Sequence, residues 1–100
     1  MSVVVNLHSP PERVWGLLTH ISPAGIQMRG INVKTFDDWV CAILKNERNV
    51  GPTHLFLPMW RVERMSMDER LGNILSLEEQ FRARVGVTLQ EYLGWGGPIR

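Results

Sequence analysis

Val14 to Val33, VWGLLTHISPAGIQMRGINV, holds two apolar-rich runs joined by Ser22-Pro23-Ala24-Gly25. Proline presets one backbone angle of a turn and glycine accepts a positive one, so the two runs read as a β-hairpin. Each run has an internal glycine, Gly16 and Gly30. Glycine inside a strand marks a bulge, a bend or a close approach. At Gly30 the apolar positions change phase, from Ile26 and Met28 to Ile31 and Val33. Bent strands in a short chain favour a small closed barrel over a flat sheet.

The flanking segments supply the other elements. Residues 2–8 alternate as a first strand, with Val3, Val5 and Leu7 on one face, and Pro10-Pro11 ends it. A second strand is expected from Arg13 to Ile21 and a third from Ile26 to Val33. Thr35 with Asp38 reads as a capping box opening a helix to about Lys45. Its apolar stripe is Phe36, Val40, Ile43 and Leu44, with Trp39 beside it. Residues 46–52 read as a loop. His54 to Leu57 is a fourth strand, Pro58 interrupts, and Met59 to Met67 is a fifth, before a charged turn at 68–73. Two more capping boxes, Ser76–Glu79 and Thr88–Glu91, open helices stopped by Gly86 and Gly94.

The expected fold is α+β: a small bent five-stranded antiparallel β-barrel, SH3/Sm-like, with a helix after the third strand and two short C-terminal helices. One domain is expected over 1–93, with a flexible tail at 94–100.

Composition narrows the functional classes. Eleven basic and ten acidic residues leave a net charge of +1. No global field draws in nucleic acid or acidic lipid, so such binding needs a local patch or repetition in an oligomer. Cys41 is the one cysteine, which excludes an intrachain disulfide and favours a reducing compartment. Neither a signal peptide nor a membrane span is expected, and a cytoplasmic location is the default. Trp15, Trp39, Trp60 and Trp95 read as core or interface anchors.

Catalytic groupings are not apparent. His8, His20 and His54 lie far apart, without the spacing of a metal site. The acidic pairs 37/38 and 78/79 are explained by helix capping, and Asp68/Glu69 by turn solvation. Cys41, beside the helix stripe, reads as a half-buried core filler. Arg61, Arg64 and Arg70 accompany Trp60, but Glu63, Asp68 and Glu69 interleave them as in a solvated strand face. The chain reads as a non-enzyme without cofactor or metal.

Gly16-Leu17-Leu18 following the alternating Val3, Val5 and Leu7 resembles the first motif of the Sm-like small-barrel family. Leu55 to Met65 is similar to the family's second half, whereas Ser22 and Gly25 stand where that family has its base-holding Asp and Asn. This resemblance implies a homo-oligomeric ring that binds single-stranded RNA. Arg29, Arg61 and Arg64 are then candidate polar contacts, and Trp60 a candidate stacking residue. His20-Ile21-Ser22-Pro23-Ala24-Gly25 resembles the second motif of PilZ domains apart from His20 in its first place. That resemblance implies a cyclic-dinucleotide sensor with a turn motif at His20, Ser22 and Gly25, or a degenerate member acting through protein contacts. The leading expectation is a regulatory or scaffold module working by self-association and macromolecular binding. The alternatives are the PilZ-like sensor and a pure protein-interaction domain.

Overall fold

Residues 2–47 and 51–96 are described by the computed structural model. The backbone divides into two compact units, residues 1–68 and 69–100. The first holds strands β1 (Ser2–Leu7), β2 (Glu12–Ser22) and β3 (Gly25–Asn32), then a 3-10 turn at Val33–Thr35 and helix α1 (Phe36–Leu44). Strand β4 (Thr53–Pro58), a 3-10 turn at Met59–Arg61 and β5 (Val62–Met67) complete it. The five strands form one antiparallel sheet in the order β4-β3-β2-β1-β5. The α+β class and five antiparallel strands agree with expectation. Among the described residues no ladder joins β4 to β5, so the sheet keeps two edges.

The β1 alternation works as read. Val3, Val5 and Leu7 are buried with Val14, Ile26, Met28 and Leu57, and Leu18, Leu55, Met59 and Val62 pack against this inner core. The opposite, outer face is also apolar in part. Val4, Trp15 and Ile31 are buried there, and Trp15 meets Phe36 edge-on at 5.3 Å and Trp39 at 6.3 Å. The apparent phase change at Gly30 therefore has another cause. The β2–β3 register passes Gly30 without a shift, while Ile26 and Met28 line the inner core and Ile31 pairs with Trp15 on the outer face. Both faces are covered at that end, so both parities become apolar.

The bend expected at Gly16 is likewise displaced. The register shift falls between Leu18 and His20, leaving Thr19 as the extra residue. Gly16 instead pairs with Gly30, and a Cβ on it would run into the Arg29 carbonyl oxygen and stand 2.5 Å from the Gly30 Cα. Close backbone approach demands this glycine. The hairpin has the two-residue loop Pro23-Ala24, with Ser22 paired to Gly25. Gly25 is not among the described glycines with positive φ; it is enclosed by the Leu57 carbonyl and the Phe56 ring.

Helix α1 starts by other means than a capping box at Thr35. The Thr35 hydroxyl donates to the Asn32 carbonyl at 2.9 Å, and the Asn32 side chain caps the 3-10 turn through the Lys34 amide. The intervening 3-10 turn takes Thr35 out of capping geometry. Phe36, Trp39, Val40 and Ala42 form the buried face, while Leu44 is 60% exposed and Cys41 is exposed rather than half-buried. The fifth strand begins at Val62, later than expected, because Met59–Arg61 is helical. That turn is held at both ends: the Met59 amide donates to the Ala24 carbonyl at 3.0 Å, and the His8 amide to the Arg61 carbonyl at 2.9 Å.

The second unit carries helices α2 (Leu77–Val85) and α3 (Leu89–Gly96). Both capping boxes form. Ser76 Oγ accepts from the Glu79 amide while Glu79 accepts from the Ser76 amide, and Thr88 and Glu91 do the same. Donation by the Ser76 amide first, and the Arg70 guanidinium next, hold the Glu79 carboxyl below its ordinary range. Glu91 is lowered chiefly by the Thr88 amide. Gly86 ends α2 at φ 97°, a left-handed position. Phe81 is fully buried, with the Tyr92 ring 5.9 Å away. Helix α3 continues past Gly94 to Gly96; residues 97–100 of the expected tail, and 48–50 of the expected loop, lie outside the described residues. Among the described residues no helix is long and apolar enough to cross a membrane.

Candidate nucleic-acid interface

Cross-strand partners project from the same side of a sheet, so register assigns each side chain to a face. On the outer face, Leu17 pairs with Arg29 and Arg29 with His54. The next row out is His20, Gln27 and Phe56. Helix α1 covers the Trp15–Ile31 row, and these two rows lie beyond it. His20, Gln27 and His54 are exposed, and Phe56 is 53% exposed. Thr19, the bulged residue, donates its hydroxyl to the Gln27 carbonyl at 2.9 Å. Thr19, Gln27, His54 and Phe56 line a shallow cleft of about 230 Å³.

Across β2, β3 and β4 neither row contains a carboxylate; the Leu17 row continues through Ser2 to Asp68, whose carboxylate accepts from Trp15 Nε1. Arg29 is half-buried, and its Nε is buried without a hydrogen-bond partner among the described residues. An unpaired buried donor of this kind is a place for an ordered water or a bound group. The rows thus combine an exposed ring, an amide with donor and acceptor, two imidazoles and one cation. Such a surface can stack a base, read its edge and meet a phosphate.

The remaining expected contacts are dispersed. Arg29 is on β3 and Arg64 on β5, with β2 and β1 between them. Arg61 is engaged within the fold. Its guanidinium donates to the carbonyls of His8 at 3.2 Å and Pro10 at 2.9 Å, and to Glu12 at 2.8 Å, and so clamps the β1–β2 connection. Trp60 is 66% exposed in the 3-10 turn before β5, and Arg64 is exposed opposite Asn6. In the turn motif, the Ser22 hydroxyl reaches the Gly25 carbonyl at 3.5 Å, and Gly25 is enclosed. Of that motif only His20 belongs to the exposed rows.

Gln27, His54 and Phe56 escape sequence reading. Phe56 sits between Leu55 and Leu57 in an unbroken apolar run, which carries no sign of which side is covered. His54 signals only its distance from other metal ligands. Among the described residues no three His, Cys, Asp or Glu side chains could hold a metal ion together.

These features define a small α+β protein whose sheet bears, on β3 and β4, an exposed aromatic and polar surface around Phe56. No protein-family model, curated protein or solved structure matches the chain.

Proposed function

We propose that the chain is a non-enzymatic binding module of the small-barrel type, which self-associates through its sheet edges and holds single-stranded RNA on the outer face of β2, β3 and β4. The observation that carries this reading is Phe56, exposed beside Gln27, with Arg29 and His54 one row away and no carboxylate in either row across β2, β3 and β4. Base stacking on such a ring contributes about 1–3 kcal/mol per base.

Roll of the sheet toward a barrel is supported by its connectivity. The edge strands β4 and β5 are joined by three residues in a 3-10 turn. At about 2 Å of rise per residue, the strand ends stand roughly 8 Å apart. In a flat five-stranded sheet the edges would be about 19 Å apart. Self-association is supported by the apolar side chains at those edges, with Met67 54% exposed and Met65 37% exposed on β5. Open edges carrying apolar residues are templates for pairing with another chain.

Fluorescence anisotropy with a labelled single-stranded oligonucleotide at low salt tests the RNA half; a flat titration refutes it. Light scattering tests the other half. An oligomer that Met65→Lys with Met67→Lys dissociates is expected, and a monomer at all concentrations rejects edge pairing.

A further inference from the structure

A second concavity lies at the other end of the strands, past the outer-face Trp15–Ile31 row covered by α1, and draws its lining from both faces of the sheet. It encloses about 460 Å³, and its lining includes Asn6, Arg13, Asn32, Val33, Lys34 and Glu63. That size suits a small-molecule site. It shares no lining residue with the Phe56 surface.

Asn6 is the polar exception within the apolar run of β1. On the outer face it pairs with Arg13 on one side and Arg64 on the other. The two arginines are therefore about 10 Å apart at the backbone, with one neutral amide between them. Lys34 adds a third cation at the rim. Glu12 is already engaged by Arg61 at 2.8 Å, which leaves Glu63 as the uncommitted carboxylate in the lining. Neither arginine forms an ion pair among the described residues. Like charges gathered on one sheet face are unfavourable unless an anion joins them.

We infer that this cleft binds a small hydroxylated phosphate monoester, of the sugar-phosphate or mononucleotide class. Arg13 and Lys34, both in the lining, meet the phosphate, and Arg64 adds its charge from the far side of Asn6. Three cations match a dianion better than a single carboxylate. Glu63 opposes a bare phosphate but accepts from hydroxyl groups, and Asn6 both donates and accepts. Val33 provides an apolar wall for the carbon skeleton. The inference goes beyond RNA binding and does not depend on it.

The test is an amide-resolved NMR titration of the whole chain with ribose 5-phosphate, adenosine monophosphate and inorganic phosphate in parallel. Saturable shifts at Asn6, Arg13 and Lys34 are expected with ribose 5-phosphate, without shifts at Gln27 or Phe56. Arg13→Gln combined with Lys34→Gln weakens that binding at least about tenfold, the scale of charge-assisted hydrogen bonds. Glu63→Gln weakens ribose 5-phosphate but strengthens inorganic phosphate, while Arg29→Gln changes neither. No saturable shift with either ester overturns the proposal. Equal response to all three compounds, indifferent to Glu63→Gln, also overturns it, since that is general anion screening.

Discussion

The indole Nε1 of Trp15 donates to Asp68 Oδ2 at 2.9 Å, linking the middle of β2 to the residue just past β5. The same carboxylate oxygen accepts from the Ser2 hydroxyl at 3.4 Å. Trp15 is fully buried, so its N–H depends on protein partners. Asp68→Ala removes that acceptor and is expected to cost about 1–3 kcal/mol, measured by urea denaturation. Trp15→Phe keeps much of the ring packing and removes the donor, so its combination with Asp68→Ala is expected to be less than additive.

Phe56 separates binding from folding. Its ring is half in solvent, so Phe56→Ala is expected to change the melting temperature little while weakening RNA binding about tenfold. Arg29→Gln is expected to lower affinity and flatten the salt dependence of binding. Anisotropy titrations across a salt series measure both.

The capping carboxylates predict acid lability of the second unit. Glu79 and Glu91 have folded-state pKa values lowered from the ordinary 4.5. A lowered carboxyl contributes stability above its unfolded value, and this is lost as pH falls through the folded value. Helicity followed by circular dichroism is expected to decline below about pH 4.5. Glu79→Gln keeps a capping acceptor and removes that site's titration, so the decline should shrink.

Gly16 lies against the backbone of its partner strand, where no side chain can yield. Gly16→Ala is expected to destabilise by about 1–3 kcal/mol or more, as overpacking does. Thermal unfolding reads this directly. The contrasting variant is Gly86→Ala, whose Cβ would meet nothing within 4 Å; only its φ of 97° opposes alanine. It should cost nearer 1 kcal/mol.

Local signals are legible in this sequence and distant ones are not. Ser76–Glu79 and Thr88–Glu91 form the boxes their spacing predicts, because all partners lie within one helical turn. The hairpin at Pro23-Ala24 is equally local. Thr35–Asp38 has the same spacing yet fails, since Asn32 upstream directs a 3-10 turn into the helix. Arg61 reads in sequence as available for a ligand because its partners at His8, Pro10 and Glu12 are remote in the chain. The outer face of β4 depends on register with β3 and on how far α1 reaches. Neither quantity is written in the alternation of β4 itself. Of the candidate interface, sequence singles out Arg29 and His20 and misses the aromatic centre.

The placement of β1 between β2 and β5 bears on synthesis. Val3 pairs with Met67, so one flank of the first of the five strands to leave the ribosome is complemented only by the fifth. Until β5 emerges, a valine-rich strand has an unpaired flank. Such long-range closure slows folding and exposes the nascent chain to mispairing with its neighbours. The segment from Val62 to Met67 thus acts as a late fastener, and truncations that stop short of it should be rescued by chaperones or lost to aggregation.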